Sequence, residues 1–210
     1  FASPYAMSVF VALTEKNLPF EVVTVDLSAG AQREAGFAGT SLTQRVPTLV
    51  HDGFALSESS AITEYLDEVF AGVPLYPADL HRKARTRQVQ AWLRSDLMPL
   101  RQERSTEVVF YGVRAAPLSA HAQAAAQKLF SAALALLPDE ADHLCGHWSI
   151  ADVDLALMLN RLVLHGDAVP DRLAAYARRQ WQRPSVQKWV DQKRPPLSLP
   201  GEVDAGSSPA

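Results

Sequence analysis

The stretch RVPTLVHDGFALSESSAI, residues 45–62, decides how this chain folds. Pro47 opens a short run, Thr48 to His51, that reads as a strand. Asp52-Gly53 is a hairpin turn signal, and Phe54-Ala55-Leu56 is the partner strand. Ile62, Tyr65, Leu66 and Val69 then recur at i, i+3, i+4 and i+7, the pattern of an amphipathic helix beginning near Ser57. Two points in this stretch carry chemistry. A proline opening a strand is unremarkable, but a cis Val46–Pro47 bond would present the N–H and C=O of Val46 to an extended peptide ligand. X–Pro bonds are cis in roughly 5–6% of cases in folded proteins, so position alone leaves both isomers open. In Ser57-Glu58-Ser59-Ser60, hydroxyls and a carboxylate crowd a helix start, as ordinary capping residues do. The same arrangement suits an α-amino-acid headgroup, with the Ser59 N–H and hydroxyl on its carboxylate and Glu58 on its ammonium.

Upstream, Phe20 to Leu27 (FEVVTVDL) is rich in β-branched residues and predicts a strand, while Ser28 to Ser41 predicts a weak helix or loop. Ala6, Val9, Phe10 and Leu13 repeat at helical spacing, and Asn17-Leu18-Pro19 ends that run. A helix between two β segments implies a βαβ crossover and hence a strand before Ser3, supplied by on the order of ten further upstream residues. Ser3-Pro4-Tyr5-Ala6 therefore falls at a strand-to-helix turn. A hydroxyl followed by proline at a helix start is common capping chemistry. Taken alone, that capping reading wins; the other is that free N–H groups and the positive helix end converge there, where a Ser3 hydroxyl could donate a hydrogen bond to an anion such as a thiolate.

Downstream, FAGVPLYPADL at residues 70–80 reads as a linker. Beyond it every signal is helical. Val89, Trp92, Leu93, Leu97 and Leu100 mark one helix kinked by Pro99, and Ala122 to Leu136 a second. Ser149-Ile150-Ala151-Asp152 is a capping box, with Trp148 and Val153 placed as its hydrophobic staple. It opens a segment, Ile150 to Leu164, that is apolar nearly all round and so belongs at the centre of a bundle. Leu173–Trp181 and Val186–Val190 follow as shorter helices, and the tail from Gly201 has no apolar periodicity. The organisation expected is an α/β unit over 1–70, a linker over 71–80, an all-helical unit over 81–195 and a mobile tail over 196–210.

Composition excludes several classes. The 210 residues carry a net charge of −3, which gives no support to nucleic-acid binding or to a polybasic membrane surface. No apolar run approaches a bilayer span, and no basic-then-apolar signal opens the chain, so a cytoplasmic protein is expected. The single cysteine, Cys145, reads as a buried apolar filler. The six histidines are scattered; His143 and His147 sit four apart with no third ligand beside them, so no metal is expected.

Taken in order, these features resemble the glutathione transferase superfamily across nearly the whole chain. The features that match are a thioredoxin-like front, Val-Pro before a hairpin, Glu-Ser opening the next helix, Leu75-Tyr76-Pro77 as linker and a Ser-x-x-Asp box in an all-α rear. Residues 92–110 and 154–169 look most like the bacterial YfcF-type transferases. The resemblance implies a thioredoxin-like α/β domain followed by an all-α domain, and Ser3 as the residue that activates glutathione. It puts Val46, Glu58 and Ser59 at the glutathione site. Tyr5 has two readings, a residue facing the electrophile pocket or an aromatic packed at the helix start. It also implies a homodimer that takes glutathione and a small apolar electrophile, reduction of organic hydroperoxides being a second activity. Glutaredoxin-like members carry Cys-Pro-Tyr-Cys where this chain has Ser3-Pro4-Tyr5-Ala6, so thiolate stabilisation is favoured over thiol–disulfide exchange. A non-catalytic binding protein on the same fold is the alternative, and a glutathione-dependent isomerase or dehalogenase a third.

Overall fold

The computed structural model describes residues 2–138 and 141–197. The first helix, α1 (Pro4–Glu15), is capped by Ser3, has Pro4 in its first turn and buries Met7, Val11 and Ala12. A single 3₁₀ turn (Ala31–Arg33) and a short helix α2 (Ala35–Ala38) lead to β1 (Thr48–His51) and β2 (Phe54–Ser57). The strands pair antiparallel, with Thr48 opposite Ser57 and His51 opposite Phe54. Asp52 and Gly53 both have positive φ, 49° and 81°, which is the turn geometry that matches the right-handed twist of a two-residue hairpin. The helix α3 (Ser59–Val69) follows, two residues later than the periodicity placed its start.

The strand expected over Phe20–Leu27 is not formed: the segment carries no ladder among the described residues, and Val22 and Val23 are exposed. β propensity expresses fit to a pleated, half-buried surface, and here no neighbouring strand provides one. The parallel βαβ crossover is likewise not seen, because the sheet consists of the β1–β2 pair. The tail expected to be mobile lies, from residue 198 onward, outside the described residues.

Residues 70–79 hold no helix or strand, yet Leu75 and Tyr76 are buried and the Leu75 carbonyl accepts from the Ile150 N–H at 3.0 Å. The rear then contains α4 (Leu80–Ser95), α5 (Met98–Glu103), α6 (Thr106–Tyr111), α7 (Ala120–Leu136), α8 (Ile150–Val163), α9 (Asp171–Trp181) and α10 (Pro184–Val190). The single kinked helix expected over Val89–Leu100 is in fact two. Pro99 lacks an N–H and its ring would collide with the Ser95 carbonyl, so α4 stops at Ser95. Leu97 turns at φ 62° and its N–H is held by Asp96 Oδ1 at 2.7 Å.

Two clusters of buried apolar side chains organise the molecule. One is internal to α4, α5, α7, α8 and α9; the other joins α1 and α3 to Ile150, Val153 and Leu157 of α8 and to Val186 and Trp189 of α10. α8 faces both, which is why its sequence is apolar nearly all round. Its capping box forms: Asp152 Oδ2 accepts from the Ser149 N–H at 2.8 Å. Asp152 Oδ1 takes the Leu144 N–H and the Tyr176 hydroxyl, at 2.9 and 2.7 Å. Front and rear are further tied by Glu15 of α1, whose carboxylate receives Arg183 in a two-point contact at 2.7 Å each.

Candidate functional site

Ser3 caps α1 by accepting the Ala6 N–H on its hydroxyl oxygen at 3.2 Å. That bond uses a lone pair and leaves the O–H proton free to donate, so the capping and anion-binding readings are compatible. Val46 is joined to Pro47 by a cis peptide bond. The loop before it is held by Thr48 Oγ1, which donates to the Arg45 carbonyl at 3.0 Å and lies 2.8 Å from Ser41 Oγ. Because Thr48 is paired with Ser57, the Val46–Pro47 step and Glu58 lie at the same open end of the hairpin.

Glu58 is exposed and sits at φ 74°, ψ 112°, the residue immediately before α3. A non-glycine residue held there costs on the order of 1–3 kcal/mol, and such conformations concentrate at ligand sites. Ser59 is 3% exposed and opens α3. Its hydroxyl oxygen accepts from Arg94 Nε and Nη2 at 3.2 and 3.1 Å.

Arg94 was not singled out from sequence, and it joins the two helix starts. Its Nη2 also bonds Asp154 Oδ2 at 3.1 Å, and its guanidinium lies 6.0 Å from the centre of the Tyr5 ring. Asp154 Oδ2 also accepts from Gln90 Nε2 at 2.9 Å, and Gln90 Oε1 receives the Tyr76 hydroxyl at 2.7 Å. Burial raises the Tyr76 phenol well above its ordinary value, so it acts as a neutral donor.

Beside this chain of contacts lies a cleft. Pro4 and Tyr5 of α1, the apolar Leu93, Leu157 and Met158, and the charged Arg94, Arg101, Arg161 and Asp154 line it. Tyr5 is among the residues that line this cleft. Asp154, Leu157, Met158 and Arg161 are spaced i, i+3, i+4, i+7, one face of α8. Beside the capping Asp152, the seven-residue spacing of Asp154 and Arg161 in a mostly apolar helix was the signal available in the sequence. Cys145 is buried, with Sγ 3.5 Å from Thr86 Oγ1. Among the described residues no group of three or more His, Cys, Asp and Glu could hold a metal, and no helix is long and apolar enough to cross a membrane.

Comparison with known proteins gives a consistent result. The glutathione S-transferase N-terminal domain model matches residues 2–69 and the C-terminal domain model residues 79–193. A glutathione transferase homolog from Burkholderia gl BGR1, solved with bound glutathione, is 52% identical over 90% of each chain, with a TM-score of 0.74. A glutathione S-transferase from Rhodospirillum rubrum F11 is 27% identical, covering 95% of this chain and 93% of its own, with a TM-score of 0.73. A probable maleylacetoacetate isomerase of Caenorhabditis elegans is 37% identical over 43% of this chain, and a glutathione S-transferase U9 of Arabidopsis thaliana 35% over 41%. The matched segments span 42% and 36% of those two relatives.

Proposed function

The chain belongs to the glutathione S-transferase family, and from that premise we propose that it is a glutathione transferase whose thiolate is stabilised by the Ser3 hydroxyl. The observation that carries the reading is the start of α1. Ser3 spends a lone pair on the Ala6 N–H, keeps its proton to donate, and stands next to Pro4 and Tyr5 in the cleft wall. A free thiol has a pKa near ~8.5, so little of it is ionised at neutral pH. Each unit of lowering is about 1.4 kcal/mol of preference for the anion. The Burkholderia homolog's bound glutathione supports the same ligand here. Val46, Glu58 and Ser59 would hold its peptide and γ-glutamyl ends, and an electrophile with an apolar body would lie on Leu93, Leu157 and Met158. The sulfur attacks the electrophile's activated carbon; the protein contributes no covalent nucleophile. Organic hydroperoxides are a second class of acceptor: the thiolate takes the terminal oxygen as the O–O bond breaks and the alcohol leaves, and a second glutathione attacks the resulting sulfenic acid to give glutathione disulfide and water. The division into 1–70 and 81–195, a homodimer, a cytoplasmic location and kinship with the YfcF-type members belong to the same reading.

Ser3→Ala tests it. With glutathione and a neutral aromatic halide, conjugation at pH 7 should fall by roughly tenfold or more. The bound thiol should titrate higher, and the deficit should narrow as pH rises. Helix N–H groups would sustain some activity. Ser3→Cys should instead acquire a glutathione mixed disulfide, visible by mass after exposure to oxidised glutathione. Full activity and an unchanged thiol titration in Ser3→Ala would leave Ser3 as a helix cap alone.

A further inference from the structure

The cleft beside Tyr5 carries more positive charge than the protein neutralises. Three guanidinium groups, of Arg94, Arg101 and Arg161, line it beside one carboxylate, Asp154, which bonds Arg94. Arg94 gives Nη2 to that carboxylate and Nε and Nη2 to Ser59, while its Nη1 has no hydrogen-bond partner. Arg101 donates to the main-chain carbonyls of Arg94, at 2.6 Å, and Leu93, at 3.5 Å, and to the Met98 sulfur. Arg161 is 5% exposed, gives Nη1 to the Arg104 carbonyl at 2.7 Å, and its Nε has no hydrogen-bond partner. Burial, reinforced by the like charge of Arg101, pushes the Arg161 guanidinium down to about 10. Holding two like-charged guanidinium groups together, each bonded to main-chain carbonyls and neither to a carboxylate among the described residues, is unfavourable for the protein alone. An organic anion seated between them removes that cost and gains charge-assisted hydrogen bonds.

We propose that the electrophile is a carboxylic acid. Its carboxylate is held by Arg101 and Arg161, its apolar body rests on Leu93, Leu157 and Met158, and its activated carbon is presented toward Ser3. The position of that carbon rests on the transferase reading above; the anion site does not. The charge arrangement also answers a physical difficulty, since a thiolate and a carboxylate repel one another across a low-dielectric cleft unless cations lie between them. With a chloroarene acid, the sulfur forms the C–S bond and the carbon–chlorine pair leaves as chloride. With an α,β-unsaturated acid, the sulfur bonds the β carbon, the π pair moves to the α carbon, and that carbon takes a proton from water.

Dinitrobenzoate and dinitrobenzamide have nearly the same shape, lack a leaving group and differ in charge. Their calorimetric titration into the glutathione-saturated protein should show the acid binding on the order of tenfold tighter or more. Arg101→Gln should erase the preference and Arg101→Lys retain part of it, while inorganic phosphate should fail to displace the acid. Equal affinity for acid and amide in the unaltered protein overturns the inference, whatever the variants do. Displacement by phosphate at similar concentration overturns it too, by making the cleft a general anion site. Chlorodinitrobenzoate and chlorodinitrobenzamide, which add a leaving group to the same two probes, are then assayed for conjugation. Turnover of the acid over the amide, each divided by its uncatalysed rate with glutathione, extends the preference to the reaction. Tight acid binding without any conjugation would refute the transferase reading and leave the anion site standing.

Discussion

Arg104 and Arg161 are both buried and they touch, Arg161 Nη1 donating to the Arg104 carbonyl, yet they are treated in opposite ways. Arg104 is completely enclosed and fully provided for. Asp167 receives its Nε and Nη2 at 2.6 and 2.8 Å, and the carbonyls of Glu103 and Ala116 take Nη1 at 2.9 Å each. Its hydrogen bond to Asp167 pushes the guanidinium above its ordinary value, whereas burial pushes Arg161 below. Arg104 is a cross-link between the end of α5 and the chain after α8. Arg161 has an orphan N–H and a second arginine for company, which is the condition of a group whose partner arrives from outside. Arg94 stands between the two, paired with Asp154 but also reaching Ser59 and Tyr5.

The sharpest way to break this contrast is to remove the carboxylate from the closed site. Asp167→Asn strands a buried charge and should cost about 3–5 kcal/mol in urea unfolding at neutral pH; a loss below about 1 kcal/mol would mean Arg104 is no cross-link. The same residue sets part of the acid limb. Burial alone would raise the Asp167 carboxyl, but the Arg104 bonds outweigh it and hold it below the ordinary range. The resulting stabilisation is therefore complete above the unfolded value near ~4 and is lost as pH falls through it toward the lowered folded value. Urea midpoints between pH ~3 and ~6 should fall more steeply in the parent than in Asp167→Asn.

Ser59→Ala removes a hydroxyl from the intermediate region. It should raise the Michaelis constant for glutathione by the equivalent of about 1.5–3 kcal/mol with little change in kcat, because that end of the ligand is the same in ground and transition states. An unaltered constant would detach Ser59 from the glutathione site. At the open site, Asp154→Asn deletes the one carboxylate among the three arginines. It should tighten dinitrobenzoate by on the order of 1 kcal/mol, about fivefold, in the same titration; weaker binding would show that Asp154 positions Arg94 rather than opposing the ligand. The smallest effect is reserved for Arg161→Met. Losing one hydrogen bond while relieving a buried charge should move stability by no more than about 1 kcal/mol. A loss as large as that of Asp167→Asn would place Arg161 with Arg104 as a structural pair.

The features legible in residues 45–62 and 149–164 share a property: each is decided within a few residues. Asp52-Gly53 carries its own turn geometry, Ser149 and Asp152 cap their own helix, and an all-round apolar helix announces burial on both sides. The starts of α1 at Ser3 and of α3 at Glu58 and Ser59 were likewise visible, because helix starts are written in local hydroxyls and carboxylates. Where an outcome depended on a neighbour, local sequence failed. Phe20–Leu27 has strand composition and no adjacent strand among the described residues, and the division of α4 from α5 comes from Pro99 acting on Ser95 one turn earlier.

The cleft is the extreme case. Arg94, Arg101 and Arg161 come from three helices, α4, α5 and α8, and α8 lies some sixty residues beyond the other two. Charge count, net −3 for the chain, gives no hint that three cations converge. The sequence by itself determined hairpin, caps, the central helix and the family resemblance, since hydrogen bonding and apolar periodicity act at short range. Which guanidinium found a carboxylate and which was left open was decided only when α5 and α8 packed together, because burial and pairing are properties of the assembled core.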